Sequence, residues 1–257
     1  MFLFDTHTHL LDERFDEDRD ALIGSLPEAG IRYCMEACCD EAGIEKIIAL
    51  SEAHAHIYGS AGVHPHSASE WTQATADHIQ TALAHPRILA VGEIGLDYHY
   101  DFSPRDVQKA CFDAQLTLAN KQRVPVVIHD REAHGDTLDL LRLHRDGLTG
   151  VMHCFSGSWE TAKECLDLGL HLGIGGSLTF KNAKKLIELV PKVPRDRLLL
   201  ETDCPYMTPE PFRGKRNDPS LTKLTLARLA ELRGEDEEEL AAACLENGRR
   251  LFGIAAD

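Results

Sequence analysis

The chain has 257 residues, 43% of them hydrophobic, and its 42 acidic and 27 basic residues give a formal net charge of −15 at pH 7. This balance argues against a broad nucleic-acid-binding surface, which needs clustered lysines and arginines, but it does not exclude a small site made positive by bound metal. The start lacks a signal-peptide pattern, since Asp5 interrupts the first apolar run, and no stretch has the roughly 20 consecutive apolar residues that span a bilayer.

The eight cysteines lack paired C-x-x-C spacing and lie mostly within apolar runs. Reduced, buried thiols are therefore favoured over a disulfide framework or a zinc ribbon, and this usage predicts a cytoplasmic protein. Residues 1–257 are predicted to form a single domain, because barrels of roughly 250 residues are common. A monomer is the favoured oligomeric state.

Apolar runs alternate with amphipathic stretches along almost the whole chain. Strands are predicted at 1–9, 31–35, 57–63, 88–92, 124–128, 150–152, 170–175 and 197–203. Helices are predicted at 13–29, 41–54, 71–84, 104–121, 131–144, 159–168, 182–190, 220–232 and 236–252. Eight β-then-α units predict an α/β fold, the (β/α)₈ TIM barrel. An open doubly wound sheet is the alternative, but the sequence lacks a Gly-x-Gly-x-x-Gly motif after the first strand.

The first strand ends in Asp5-Thr6-His7-Thr8-His9. Residues two apart on a strand point to the same side, so the imidazoles of His7 and His9 project together and can coordinate one metal ion. Taken alone, such a pair is also typical of two histidines with a structural role. The ends of the other strands favour the metal site.

Polar residues follow several other predicted strands directly. Core packing explains them poorly, because each costs free energy on burial unless it is paired or ligated. In a barrel these strand ends meet at the C-terminal mouth, where the active sites of this fold lie. Four histidines and two carboxylates suit one or two divalent cations. The predicted metal ligands are His7, His9, Glu93, His129, His153 and Asp203.

Motifs around these residues stand in the order typical of one family. They are Asp-Thr-His-Thr-His (5–9), Gly-Val-His-Pro (62–65), Gly-Glu-Ile-Gly-Leu-Asp-Tyr (92–98), Ile-His-Asp-Arg (128–131), His-Cys-Phe-Ser-Gly (153–157), Glu-Thr-Asp-Cys-Pro-Tyr (201–206) and Arg-Gly-Lys-Arg-Asn (213–217). The chain resembles the TatD family of metal-dependent hydrolases, in the amidohydrolase superfamily, from residue 2 to about Phe252. Asp130 and Cys204 depart from the usual pattern, in which small or hydroxyl residues are frequent.

The resemblance implies a metal-dependent phosphodiesterase that acts on DNA, often as a 3′-to-5′ exonuclease, with DNA ends or short single-stranded nucleic acid as substrate. It also implies two divalent cations. The first would be held by His7, His9, Glu93 and Asp203, and the second by Glu93, His129 and His153. Mixed nitrogen and oxygen ligands suit Zn²⁺ or Mn²⁺, whereas nuclease activity implies Mg²⁺.

Four further residues are expected to bind substrate: His64, Arg131, Arg213 and Lys215. Each has a structural alternative. His64 could instead fix the turn at Pro65, and Arg131 could form a salt bridge with Glu93 or Asp97. Arg213 and Lys215 belong to the dense basic patch at 213–216, which in most proteins would be a solvated loop.

Three other side chains have weaker assignments. Tyr98 and Tyr206 could stack on a base, although aromatic residues over a barrel mouth are also ordinary packing. Glu201, two residues before Asp203, is expected to orient a ligand histidine.

The predicted mechanism uses two cations that lower the pKa of a shared water. Asp203 is the candidate general base, and Glu93 the bridging carboxylate. One alternative is hydrolysis of a carbonyl ester or amide, for example an aminoacyl-RNA ester, by the same chemistry. A non-catalytic barrel that binds nucleic acid or a partner is the other, and the complete ligand set argues against it.

Overall fold

The computed structural model describes residues 1–255. Eight parallel strands follow one another around a barrel in sequence order, each hydrogen-bonded to the next. The strands are β1 Leu3–Thr8, β2 Ile31–Glu36, β3 Ile57–Ala61, β4 Ile88–Asp97, β5 Val126–Arg131, β6 Gly150–Met152, β7 His171–Ile174 and β8 Leu198–Leu200. The predicted (β/α)₈ barrel is confirmed.

The helices surround the strands. They are α1 Arg19–Ser25, α2 Ile44–Ala53, α3 Gln73–Ala82, α4 Arg105–Gln122, α5 His134–Leu143, α6 Trp159–Asp167, α7 Lys184–Leu189, α8 Thr222–Arg233 and α9 Glu237–Phe252. The helix predicted at 13–29 is instead a short 3₁₀ turn, Glu13–Phe15, followed by α1, because the backbone leaves the helical conformation at Asp18, where φ is −138° and ψ is 10°. No helix within residues 1–255 is long and apolar enough to cross a membrane.

Strand β4 runs further than the sequence predicted. It continues past Glu93 to Asp97, and residues 94–97 pair with residues 128–131 of β5. A shift of register between Val91 and Ile94 places Glu93 at an irregularity inside the strand. Gly95 permits the pairing, because its φ is +144° and a Cβ there would collide with the β5 backbone. The prediction that this strand ends at Glu93 was therefore wrong.

Strand β8 is shorter than predicted, and the barrel closes between β1 and the residues that follow β8 through backbone hydrogen bonds, such as that from the His9 N–H to the Cys204 carbonyl at 2.9 Å, and through side chains. The Thr6 hydroxyl donates to the Leu200 carbonyl at 3.0 Å, and the Asp5 carboxylate accepts from the Thr202 backbone N–H at 2.8 Å and from its hydroxyl at 2.5 Å. Burial raises the pKa of Asp5 well above its usual range. Beyond the strand, Asp203 adopts a φ of 58°, so the alternation of a strand no longer applies to it.

The barrel interior is apolar at its N-terminal end. Side chains from six strands meet there with the end of α9 and a residue just after it: Phe4, Tyr33, Met35, Ala90, Val127, Val151, Leu199, Phe252 and Ile254. Phe4 lies against Phe252, with ring centroids 5.8 Å apart. A second, larger cluster fills the space between the strands and the surrounding helices. These clusters hold the strands whose opposite ends form the mouth.

Candidate metal centre

The structure brings all six predicted ligands together at the C-terminal mouth, with Glu93 at their centre. Its Oε2 lies 3.3 Å from His7 Nε2 and 3.8 Å from His9 Nε2. Its Oε1 lies 2.8 Å from His129 Nδ1 and 3.8 Å from His153 Nε2. Each carboxylate oxygen therefore faces a different pair of imidazoles.

Asp203 lies on the β1 side of this cluster. Its Oδ1 is 3.4 Å from His9 Nε2 and 3.8 Å from His153 Nε2. The turn after β8 holds it there, because the Asp203 N–H donates to the His7 carbonyl at 3.0 Å. The left-handed backbone at Asp203 re-aims its side chain towards the mouth, so that it joins the histidines of β1.

The donor set suits divalent cations. Four groups within residues 1–255 have all their ligand atoms within 4.8 Å of one another: His7, His153 and Asp203; His7, His9 and Glu93; His64, Glu93 and His129; and His153, Cys154 and Glu201. The Nε2 atoms of His7 and His9 lie 3.2 Å apart and face the same oxygen of Glu93. Two imidazole nitrogens this close either share a proton or bind the same cation. Neutral imidazole and carboxylate are both common ligands of divalent metal ions, so a shared cation fits this arrangement.

The electrostatics of the centre also favour a cation. Burial alone would raise the pKa of Glu93, but the surrounding histidines, His64 and His7 foremost, hold it well below its usual range. Burial acts in the same direction on Asp203, and there His9 and His153 lower its pKa. Both carboxylates are therefore ionised at neutral pH, and positive charge placed between them is stabilised.

Two buried carboxylates, Asp97 and Glu201, orient His129 and His153. Each contacts the ring nitrogen that does not face Glu93. Burial opposes a charged imidazole, yet hydrogen bonds that His129 donates to Asp97 at 3.2 Å and to Glu93 at 2.8 Å raise its pKa to about 9. His153 is likewise buried, and Glu201, whose Oε1 lies 3.1 Å from His153 Nδ1, raises its pKa to about 9. In each ring one nitrogen faces the supporting carboxylate and the other faces Glu93, which is the arrangement of metal-binding histidines.

His64 fixes the turn at Pro65, the structural alternative that the sequence allowed, and it also faces the metal centre; its role in substrate binding stays a prediction. Its Nδ1 accepts from the His66 backbone N–H at 3.2 Å and so caps the turn at Pro65–Glu70. Its Nε2 lies 3.6 Å from Glu93 Oε1, inside the same cavity. Burial lowers the pKa of His64 well below its usual range, so it is a neutral donor or acceptor at the site.

A model of the family described as TatD related DNase matches residues 4–253. The chain belongs to the TatD-related DNase family. A protein of Bacillus subtilis (strain 168) named uncharacterized metal-dependent hydrolase YabD is 42% identical over 98% of this chain and 99% of its own length. The protein named 3′-5′ ssDNA/RNA exonuclease TatD of Enterobacter lignolyticus (strain SCF1) is 37% identical over 98% of this chain and its full length.

The fold agrees with a solved structure of the same family. The crystal structure of YJJV, a TatD homolog from Escherichia coli K12, has a TM-score of 0.92 and 32% identity and covers 98% of both chains. Family membership makes this chain a metal-dependent hydrolase, as the motifs predicted. The mouth is therefore the candidate catalytic site of this hydrolase, and its remaining residues are candidate binding groups.

Both arginines that were predicted to bind substrate line the cavity of the mouth. The guanidinium of Arg131 lies 4.7 Å from the Tyr100 ring. Within residues 1–255 it forms neither of the salt bridges considered as its structural alternative, to Glu93 or to Asp97. Arg213 also lines the cavity, over the ring of Phe180 at 3.9 Å.

The rest of the basic patch points elsewhere. Arg216 forms a two-pronged ion pair with Asp18 at 2.6 and 2.7 Å, so its charge is neutralised. Lys215 lies near the Phe212 ring and, within the described chain, outside the cavity lining. Its role in substrate binding stays a prediction.

The two tyrosines expected to stack on a base are both engaged. The Tyr98 hydroxyl donates to Asp136 at 2.5 Å, and Arg105 lies 4.3 Å from its ring, outside the cavity lining as described for residues 1–255. Tyr206 does line the cavity, but its hydroxyl donates to Asp12 at 3.0 Å, and Arg14 lies 4.3 Å from its ring.

Sequence reasoning missed several residues of the mouth: Lys46, His66, Asp97, Tyr100 and Phe102. The sequence did carry a signal for Asp97. It lies four residues after Glu93, and because side chains alternate along a strand with a period of two, both point to the same side of β4. The others lie in loops or on the exposed side of α2, where no periodicity marks them. The departures at Asp130 and Cys204 have structural explanations: Asp130 bonds His134 at 2.6 Å, and Cys204 is fully buried.

Proposed function

We propose that the chain hydrolyses phosphodiester bonds at the 3′ ends of DNA, releasing nucleotides in the 3′-to-5′ direction with the aid of two divalent cations. The observation that carries this proposal is Glu93, whose two oxygens face different histidines at the floor of the mouth. The relatives named 3′-5′ ssDNA/RNA exonuclease match the chain over nearly its whole length, which supports a single-stranded substrate. The eight free thiols support a reducing, cytoplasmic location.

Two sets of side chains would hold the cations. They are His7, His9, Glu93 and Asp203, and Glu93, His129 and His153, with Glu93 common to both. When bound, the cations supply Lewis acidity that polarises the phosphoryl oxygens and lowers the pKa of a water. Asp97 and Glu201 keep the rings of His129 and His153 aimed at Glu93.

Asp203 would take the proton of the attacking water and pass it to the leaving alcohol. Its side chain is 16% exposed, against 4% for Glu93, so Asp203 is the carboxylate that water in the mouth reaches more readily. It is ionised at neutral pH and therefore able to accept a proton.

The substrate's phosphate would be bound by cationic and imidazole groups around Glu93. His64 lies deepest, next to Glu93 Oε1, while Arg131 and Arg213 line the outer cavity, with Lys215 beyond it. The charges of Arg131, Arg213 and Lys215 would offset the negative charge that the phosphate keeps during in-line displacement, and neutral His64 would offer a hydrogen bond. The small number of these groups fits an enzyme that engages a few nucleotides at a chain end.

The test is a metal-reconstituted activity screen. Protein stripped of metal is reloaded with Mg²⁺, Mn²⁺ or Zn²⁺ and assayed on single-stranded DNA and RNA labelled at either end and on an aminoacyl ester. We expect stepwise shortening from the 3′ end. Hydrolysis of the aminoacyl ester alone would contradict the proposal and favour the carbonyl-ester alternative.

Asp203→Asn separates proton transfer from metal binding. The amide keeps one oxygen but loses the basicity, so we expect turnover to fall by about 10² to 10⁴ while at least one metal ion remains bound. Metal content by elemental analysis is read beside single-turnover rates. Asp139→Asn, on the exposed surface of α5, is the matched control. Near-normal turnover of Asp203→Asn would remove this residue from the mechanism.

A further inference from the structure

The loop between β4 and α4 places two exposed aromatic rings at the rim of the catalytic mouth. Tyr100 is 48% exposed and Phe102 is 68% exposed, the largest exposure of any aromatic residue within 1–255. Both line the same cavity as Glu93. Large apolar side chains left in water beside a catalytic site are a feature of binding surfaces.

The rings form an ordered surface. Tyr100 and Phe102 are stacked, with centroids 5.3 Å apart and planes inclined by 23°. The His66 ring meets Phe102 edge-on at 4.8 Å and Tyr100 at 5.4 Å. We call these three residues the aromatic shelf. The guanidinium of Arg131 lies 4.7 Å from the Tyr100 ring, so a positive charge adjoins the shelf.

The shelf is fixed to the metal centre by Asp97. One oxygen of this carboxylate bonds both His66 Nε2, at 2.9 Å, and His129 Nε2, at 3.2 Å. The other accepts from the backbone N–H groups of His99 and Tyr100, each at 2.9 Å. Asp97 therefore orients the predicted metal ligand His129 and also positions the aromatic shelf. This one side chain sets the distance between the shelf and the metal centre.

The geometry points to a second function for this rim: the aromatic shelf binds an unpaired base of single-stranded nucleic acid while a neighbouring phosphate lies at Glu93. This inference rests on the proposed function. Base stacking on aromatic side chains tolerates any sequence, because every base has a π face, and an adjacent arginine suits the backbone. The cavity, about 1130 Å³, has room for more than the reacting phosphate.

Single-stranded nucleic acid fits the shelf better than duplex. Inside a duplex both faces of a base are covered by its neighbours, so only an unpaired or terminal base can lie on Phe102. Tyr206 offers less, because it is 44% exposed against 68% for Phe102, its hydroxyl is bound to Asp12, and Arg14 lies at its ring. The shelf therefore selects the form of the substrate without reading its sequence.

The test compares oligonucleotides that differ by one base. A single-stranded DNA and its versions with an abasic site at one of the 3′-terminal nucleotides are digested by the metal-loaded enzyme. We expect one abasic position to lower kcat/KM about tenfold, the order of magnitude of one stacking contact. Phe102→Ala and Tyr100→Ala should abolish this discrimination, while hydrolysis of a small diester without aromatic rings, two abasic deoxyribose units joined by one phosphate, stays unchanged.

Two further substitutions separate stacking from generic apolar contact. Phe102→Trp should retain the discrimination, and Phe102→Leu should lose it. Phe2→Ala is the matched control, because Phe2 is 54% exposed but lies at the opposite end of the barrel. Retention of discrimination in Phe102→Ala or in Phe102→Leu would overturn the inference, as would equal digestion of all oligonucleotides by the unaltered enzyme. If the enzyme cleaves neither the oligonucleotides nor the small diester, the proposed function itself is wrong.

Discussion

At its N-terminal end the barrel is filled by Phe4, Leu199 and Phe252, whereas at the C-terminal mouth the same strands carry histidines and carboxylates around Glu93. Burying the apolar side chains stabilises the fold by about 1.5 to 3 kcal/mol each. Burying the polar ones costs free energy unless each finds a partner. The folded state accommodates the polar mouth because the buried charges there neutralise one another. The apolar cluster at the N-terminal end also contributes enough stability to offset the remaining cost.

This contrast teaches that stability and chemistry are separable along the barrel axis. A substitution at the apolar end should change the free energy of unfolding and leave the activity of the folded molecules alone. A substitution at the mouth should do the reverse. The predictions below test this separation, beginning with the largest expected effect.

Glu93→Gln should produce the largest loss of activity. Removing the shared carboxylate weakens both cation sites, and because a metal ion supplies several kcal/mol of transition-state stabilisation, we expect turnover to fall by about 10³ or more. Metal content should fall as well, which distinguishes this variant from Asp203→Asn. Full metal occupancy in Glu93→Gln would contradict a bridging role.

Phe4→Ala should produce the largest loss of stability. Phe4 is 2% exposed and packs against Tyr33 and Phe252, so its truncation should lower the free energy of unfolding by about 3 to 5 kcal/mol. Urea unfolding measures this, and Phe2→Ala, on an exposed ring, serves as the control. Activity per folded molecule should be unchanged. A large drop in that activity would show that the two ends are coupled.

Asp97→Asn should have an intermediate effect. The amide cannot hold His129 and His66 as an ionised carboxylate does, and loss of such a support lowers metal affinity by about 10- to 100-fold. Metal titration of the stripped protein measures it. Asp101→Asn, an exposed carboxylate in the same loop, is the control. An unchanged affinity would mean that packing alone orients His129.

The smallest effect concerns salt. Only Lys46, Arg131 and Arg213 supply lysine or arginine charge to the cavity within residues 1–255, so few counterions are released on binding. For single-stranded DNA, about three contacts give a slope of log K against log salt near −2. Binding measured by fluorescence anisotropy between low and moderate salt gives the slope. A value near −5 would indicate an extended basic surface.

Much of the fold and of the centre followed from local sequence. Each buried strand is a run of apolar residues, and a polar residue directly after such a run stands out, as His153 does after Met152. The extension of β4 did not follow, because it depends on Gly95 meeting the backbone of His129 across the sheet. Register between strands is a tertiary property that composition does not encode.

The rim of the mouth was the least predictable part. Arg216 looked available for phosphate, but Asp18, 198 residues away, neutralises it. Tyr98 looked like a stacking ring, but its hydroxyl is tied to Asp136. The exposed Phe102 lies in a loop without periodicity. Its position at the cavity depends on the hydrogen bonds by which Asp97 holds that loop. Such long-range partners decide which surface residues remain accessible.

The closure of the barrel by Asp5 and Thr202 has a consequence for how the enzyme is made. The two residues lie 197 positions apart, so a ribosome adding about 5 to 20 residues per second needs about 10 to 40 s between them. Until then His7 and His9 have neither Asp203 nor a closed barrel beside them. Nuclease activity is thus withheld throughout most of translation, and ribosome-bound chains arrested before residue 198 should be inactive towards nearby RNA and DNA.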